Sequence, residues 1–163
     1  MIRTYANTKA ELNIKEERLH LLLQRKEVIY ERFFPTTARY SDSPSHTNKL
    51  NDSMANYLAE LEKINPITGK SIDQEIEEAR NDVNVLQYYL KRMEISLEQL
   101  TGIENELFTW IVVKGYRPTR AVEFVAEKYK KDTSTIWKNY YPKIKEEISI
   151  MSSEYLVKGM LTS

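Results

Sequence analysis

From Ile72 to Leu100, large apolar residues and one alanine return at alternating intervals of four and three: Ile72, Ile76, Ala79, Val83, Leu86, Leu90, Met93, Leu97 and Leu100. An α-helix turns once every 3.6 residues, so this spacing gathers the side chains into one stripe along a single long helix. No proline or glycine interrupts the stretch. Ser71 and Gln74 stand at the spacing of a capping box, in which each side chain satisfies a backbone N–H of the other, and the helix is expected to open there. Burying a leucine-sized side chain is worth about 1.5–3 kcal/mol, so the stripe cannot remain in water. A second helix must cover it.

The covering helix is expected near the N-terminus. Thr8 and Glu11 have capping-box spacing, and Leu12, Leu19, Leu22, Leu23, Ile29 and Phe33 follow on one broad face that stops before Pro35. An antiparallel pair within the chain is the economical arrangement, with a homodimeric coiled coil as its rival. Lys15 and Lys26 fall where a strict seam wants apolar residues, which favours leaving the dimer open. Residues 35–52 (PTTARYSDSPSHTNKLND) are rich in Ser, Thr, Asn, Asp and Pro and read as a mobile loop. A short helix is expected over Ser53 to Ile64, closed by Pro66 and Gly69.

Composition narrows the function. Among 163 residues there is no cysteine, which removes disulfides, thiolate metal sites and a cysteine nucleophile. His20 and His46 lack partners at metal-ligand spacing. No glycine-rich phosphate loop, nucleophile elbow or HExxH is present, so no catalytic residue, metal or cofactor is expected. Acidic pairs such as Glu77–Glu78 and Glu146–Glu147 suit exposed helix faces. No window approaches the roughly 20 apolar residues of a membrane span, and Met1 to Glu11 lacks a signal-peptide core, which fits a cytoplasmic protein with no membrane partner.

Basic and acidic residues balance at 24 each, yet their distribution is uneven. Between Lys114 and Lys145 nine basic residues face three acidic ones, a local charge of +6. The same stretch changes from one long helix to three short ones. Ile103 to Val113 reads as a helix with Leu107, Phe108, Ile111 and Val112 inward, ended by Gly115. Thr119 to Tyr129 is the next, burying Ala121, Val122, Val125 and Ala126, with alanines small enough for a crossing helix to approach closely. Lys130 to Asp132 is the turn. The third helix begins at a cap from Asp132 or Thr133 and points Ile136, Tyr140 and Ile144 inward.

That geometry leaves Ser134, Thr135, Trp137, Lys138 and Tyr141 on or near an outer face. Hydroxyl, cationic and aromatic groups there can hold phosphates and read base edges in a major groove. Tryptophan is highly buried on average, so Trp110 and Trp137 are expected to be partly covered rather than stacked on bases. One tyrosine of each adjacent pair, Tyr88–Tyr89 and Tyr140–Tyr141, should face the core, since neighbours on a helix lie about 100° apart.

The segment TRAVEFVAEKYKKDTSTIWKNYYPKIKEEI resembles the helix-turn-helix of sigma-factor region 4. The helical region before it, with its DSPSHTNKLND loop, is similar to phage late-operon transcription regulators of the ArpU and RinA kind. The resemblance implies binding of promoter-region double-stranded DNA, with the helix from Thr133 as the recognition helix and a bacterial host's cytoplasm as the setting. Val122 and Ala126 match the apolar and small positions of the motif's first helix, and Ile136 matches the anchor of its second. Ser134, Thr135 and Lys138 match its DNA-facing places. Pro142 departs from the pattern, since a proline inside a helix removes a hydrogen bond and clashes with the preceding turn.

The expected fold class is therefore all-α, a long helical hairpin or coiled coil over residues 1–100, a sigma region 4-like three-helix module over 101–150, and a tail over 151–163. The candidate DNA-binding residues are Arg117, Arg120, Lys130, Lys131, Thr133, Ser134, Thr135, Trp137, Lys138 and Tyr141. Partners would be double-stranded DNA, a second copy of the chain and RNA polymerase. Two other functions fit the same residues. One is the small subunit of a DNA-packaging machine; the other is a helical interaction protein, such as an inhibitor of a host enzyme or a polymerase-binding factor. A lysine-rich three-helix segment can also be a packing domain with a solvated face.

Overall fold

The structure, a computed structural model, describes residues 4–35 and 46–161, with side-chain detail for 4–35 and 52–153. Among the described residues the chain is helical with no strand. The helices are α1 (Tyr5–Phe33), α2 (His46–Leu61), α3 (Ile72–Gln99), α4 (Gly102–Phe108), α5 (Pro118–Tyr129), α6 (Thr133–Asn139) and α7 (Tyr141–Leu161). A π-helical turn over Thr109–Val113 extends α4. None of the described helices is long and apolar enough to cross a membrane.

α3 forms as its stripe dictates. The Ser71 N–H donates to Gln74 Oε1 at 2.9 Å, and the Gln74 N–H donates back to Ser71 Oγ at 3.4 Å, which is the reciprocal capping box. The helix then runs unbroken to Gln99, with Ile72, Ile76, Ala79, Val83, Leu86, Leu90 and Met93 buried. Tyr89 is buried and Tyr88 exposed, as adjacent helix positions require. Leu97 is half-buried and Leu100, just past the helix, is buried, so most of the stripe is covered within the chain.

α1 opens one turn earlier than Thr8 and Glu11 suggest. Thr4 takes the capping role, its Oγ1 accepting the Asn7 N–H at 3.3 Å. Thr8 lies inside the helix, fully buried, its hydroxyl donating to the Thr4 carbonyl at 2.8 Å. Leu12 and Ile29 are buried, whereas Leu23, expected on the inner face, is exposed.

α2 begins at His46, not Ser53. From His46 to Leu61 there is no proline or glycine, and the weak helix propensity of Asn, Asp and Ser costs only a few tenths of a kcal/mol each. The loop expected over 35–52 is thus helix from residue 46, and 36–45 lies outside the described residues. The tail expected over 151–163 is helix to Leu161, and 162–163 likewise lies outside.

The chain divides into two compact units, 15–81 and the combination of 1–14 with 82–163. α1 and α3 each contribute to both. In the first unit Ile29, Leu61, Ile72 and Ile76 form the core, with Leu19, Leu22, Phe33 and Tyr57 packed against it. Lys26 bonds Asp73 at 2.6 Å and Arg18 lies 3.9 Å from Glu78. In the second unit α4 packs on α5 and α7, α5 on α6, and α6 on α7. Leu107, Phe108, Val112, Val122, Val125, Ile136 and Ile144 are fully buried there.

Candidate nucleic-acid interface

The candidate interface is built by four breaks in the helical chain between α3 and α7. α3 ends at Gln99, and the Asn105 amide donates to the carbonyls of Leu97 (2.6 Å) and Leu100 (3.2 Å), satisfying groups that the helix end orphans. Gly102 turns the chain with φ 56°, a conformation that costs glycine nothing. The helix expected over Ile103 to Val113 is α-helical only to Phe108. Its last turn widens to a π-helix closed by the Lys114 N–H on the Thr109 carbonyl at 2.9 Å. Three successive β-branched residues, Ile111, Val112 and Val113, crowd the preceding turn and make the tighter helix less favourable.

α5 ends at Tyr129 in a Schellman motif. The Lys131 N–H donates to the Ala126 carbonyl at 2.9 Å and the Lys130 N–H to the Glu127 carbonyl at 3.3 Å, with Lys130 left-handed at φ 51°. Asp132 then takes the N-cap position of α6, extended at φ −67° and ψ 142°, and the Thr135 N–H reaches its carbonyl at 3.0 Å. Ile136 is fully buried and anchors α6 against α5 and α7. At Tyr140 the helix stops, with φ −118°, and it restarts as α7 at Tyr141. Pro142 thus sits in the first turn of a new helix, where its missing N–H would be unsatisfied anyway.

Anchored in this way, α6 turns Ser134, Thr135 and Lys138 away from Ile136. Ser134 and Lys138 are exposed, and Thr135 is half-buried. Thr133, at the helix start, is also exposed. Trp137 and Tyr141 are half-buried and meet edge to face with ring centroids 4.4 Å apart, so the tryptophan braces the break between α6 and α7. Asn139, exposed next to Lys138, belongs to the same accessible surface and is not among the residues that the sequence pattern selects.

The cations of the basic stretch sort into two groups. Lys114 lies over the Trp110 ring, 3.5 Å from its centroid. Arg120 bonds Glu123 at 2.9 Å and lies over the Phe124 ring, so this candidate is held against its own helix. Lys128 bonds Glu106 at 2.7 Å, tying α5 to α4, and Lys143 bonds Glu104 at 2.6 Å, tying α7 to α4. By contrast Arg117, Lys130, Lys131, Lys138 and Lys145 are exposed and make no ion pair among the described residues. Three of these five lie on the turn and the outer side of α6.

The fastened group has an electrostatic signature. The Lys128 ammonium, hydrogen-bonded to Glu106, holds that carboxyl below the ordinary carboxylate value against the opposing effect of burial. The Trp110 N–H, 3.1 Å from Glu106, adds to the depression, and the Glu106 bond raises Lys128 in turn. Trp110 also packs with Tyr116 and Phe124 at centroid distances of 5.1 and 4.7 Å. Sequence pattern gives no sign of the bond between Glu106 and Lys128, which stand 22 residues apart.

Among the described residues no group of three or more histidine, aspartate or glutamate side chains could hold a metal ion. Comparison of the chain with protein-family models, with curated proteins and with solved structures finds no match.

Proposed function

We propose that this chain is a DNA-binding transcription regulator in which α5, the Lys130–Asp132 turn and α6 act as a helix-turn-helix of the sigma region 4 kind. α6 would lie in the major groove, where the N-terminal residues of such a helix meet base edges. The observation that carries this reading is the separation of the cations. Of the nine basic residues between Lys114 and Lys145, Lys128 and Lys143 tie helices together and Lys114 and Arg120 are held against near neighbours in the chain. Lys130, Lys131 and Lys138, close in sequence to Ser134 and Thr135, are exposed with no ion pair among the described residues. A packing domain has no need to leave its spare cations on one turn and one helix face; a phosphate backbone uses them there.

On this reading Arg117, exposed at the start of α5, meets the backbone that the first helix of the motif crosses. On the same reading α1 and α3 pair as an antiparallel hairpin within residues 15–81. Their contacts within 15–81 support it, because Lys26 meets Asp73 while the earlier Arg18 meets the later Glu78. The resemblance to phage late-operon regulators then gives the target as promoter-region DNA in a bacterial cytoplasm.

A second reading, an interaction protein that engages a polymerase or another host enzyme, is favoured by a different observation. Unit 15–81 holds eight of the eleven large apolar side chains that are exposed among the described residues. Titration of the purified chain with the duplex upstream of its own gene, across a salt series, separates the two. Neutralising about four phosphates gives a slope of log K against log salt of about −3 to −4 by counterion release. Absence of binding at low salt, or a slope near zero, leaves the interaction reading in its place.

A further inference from the structure

We infer that unit 15–81 carries a binding site for a small protonated amine, in which Glu75 takes the ammonium group and a positive rim favours a ligand that also bears a carboxylate. The site is a cleft of about 210 Å³ bounded by α1, the end of α2, the turn that follows it and the first turn of α3. Sites for drug-sized molecules run to roughly 300–1,000 Å³, so this one has room only for something smaller. Ile29 and Ile72, both in the core of the unit, line its apolar part together with Ile64 and Pro66.

Glu75 is the residue that points to a ligand. It lines the cleft and is only 3% exposed. Its Oε1 accepts the Asn65 amide at 3.2 Å, while Oε2 has no partner and the carboxylate makes no ion pair among the described residues. A buried carboxylate is costly without a positive partner, and its two oxygens can accept about four hydrogen bonds. The first turn of α3 favours negative charge there but does not supply the missing partner. A protonated amine supplies both the charge and several donors.

The cations of the cleft serve a different acid. Lys63 bonds Glu60, and Lys63, Arg25 and Arg32 together hold the Glu60 carboxyl below its ordinary value against the effect of burial. Arg25 and Lys63, both exposed, thus set two cations against the one carboxylate of Glu60 at the open side of the cleft. That surplus repels a second ammonium group and attracts a carboxylate. The wall beside Glu75 is already in place. The Asn65 N–H donates to the Lys70 carbonyl at 2.9 Å, and its carbonyl and Oδ1 accept the N–H groups of Gly69 (2.8 Å) and Ile67 (3.0 Å). A glutamine oxygen would accept the Asn65 amide as well as a glutamate does, so holding this turn does not call for the charge of Glu75. The site lies wholly within unit 15–81 and does not rest on the DNA-binding reading.

Titration of the full-length chain with L-valine, isobutylamine and isobutanol, followed by backbone amide resonances, tests the site. The three share one apolar body and differ in charge. Isobutylamine should shift the resonances of Asn65, Ile72 and Glu75 saturably, valine should bind more tightly, and isobutanol should not bind. Glu75→Gln keeps an acceptor for Asn65, so helical circular dichroism should persist while both amines bind at least about tenfold more weakly, as loss of a charged hydrogen-bond partner requires. No saturable shift with either amine, isobutanol binding as well as isobutylamine, valine binding no tighter than isobutylamine, or a folded Glu75→Gln variant with native affinity would overturn the proposal. Should that variant not fold, the comparison of isobutylamine with isobutanol on the native chain still decides.

Discussion

Lys130 adopts a left-handed backbone that glycine takes freely, while a side chain pays roughly 1–2 kcal/mol for it. The position closes the Schellman motif, so the backbone cannot relax out of it without losing the bonds to Ala126 and Glu127. A lysine there sacrifices stability and leaves a cation at the turn before α6. Lys130→Gly should therefore stabilise the chain by about 1 kcal/mol in chemical denaturation, after glycine's own entropic cost. If Lys130 meets a phosphate, the same variant should bind DNA less tightly at every sequence and lower the salt slope by about one. A variant neither more stable nor weaker in binding would remove both halves of this account of Lys130.

At the scale of the element, α3 is the part of the fold most legible in the sequence. Its stripe, its capping box and its freedom from proline and glycine all act within one turn or along one face, which is the range over which sequence pattern carries information. Val83→Pro should lower the thermal midpoint sharply, since an interior proline costs about 3 kcal/mol or more and Val83 is buried. An unchanged midpoint would mean that α3 is not the continuous support drawn here. The same locality made the Lys130–Asp132 turn and the start of α6 at Thr133 readable, and it marked Pro142 as a departure from the third helix without placing the stop at Tyr140. It did not fix the start of α1, where Thr4 and Thr8 are both able to cap and burial of Thr8 decides, or the start of α2. Nor could it show which charges meet. Glu106 reaches Lys128 across 22 residues and Glu104 reaches Lys143 across 39, so tertiary packing alone determines which lysines of the basic stretch remain open to a ligand.

For the whole molecule, the two units carry different surfaces. Unit 15–81 concentrates exposed apolar side chains, and the unit built from 1–14 and 82–163 holds the exposed cations at the two ends of α5 and on α6 that make no ion pair among the described residues. The proposed nucleic-acid binding belongs to the second of these, and α6 is its decisive part. The most direct test replaces Ser134, Thr135 and Lys138 together with alanine and measures affinity for duplex DNA alongside circular dichroism and thermal midpoint. Ser134 and Lys138 are exposed, Thr135 is half-buried and Ile136 is untouched, so the fold should survive. A side chain that reads a base edge is worth roughly 1–3 kcal/mol of binding, so affinity should fall at least about tenfold. A folded triple variant that binds the same DNA with the affinity and specificity of the native chain would contradict the assignment of α6 as the DNA-reading helix.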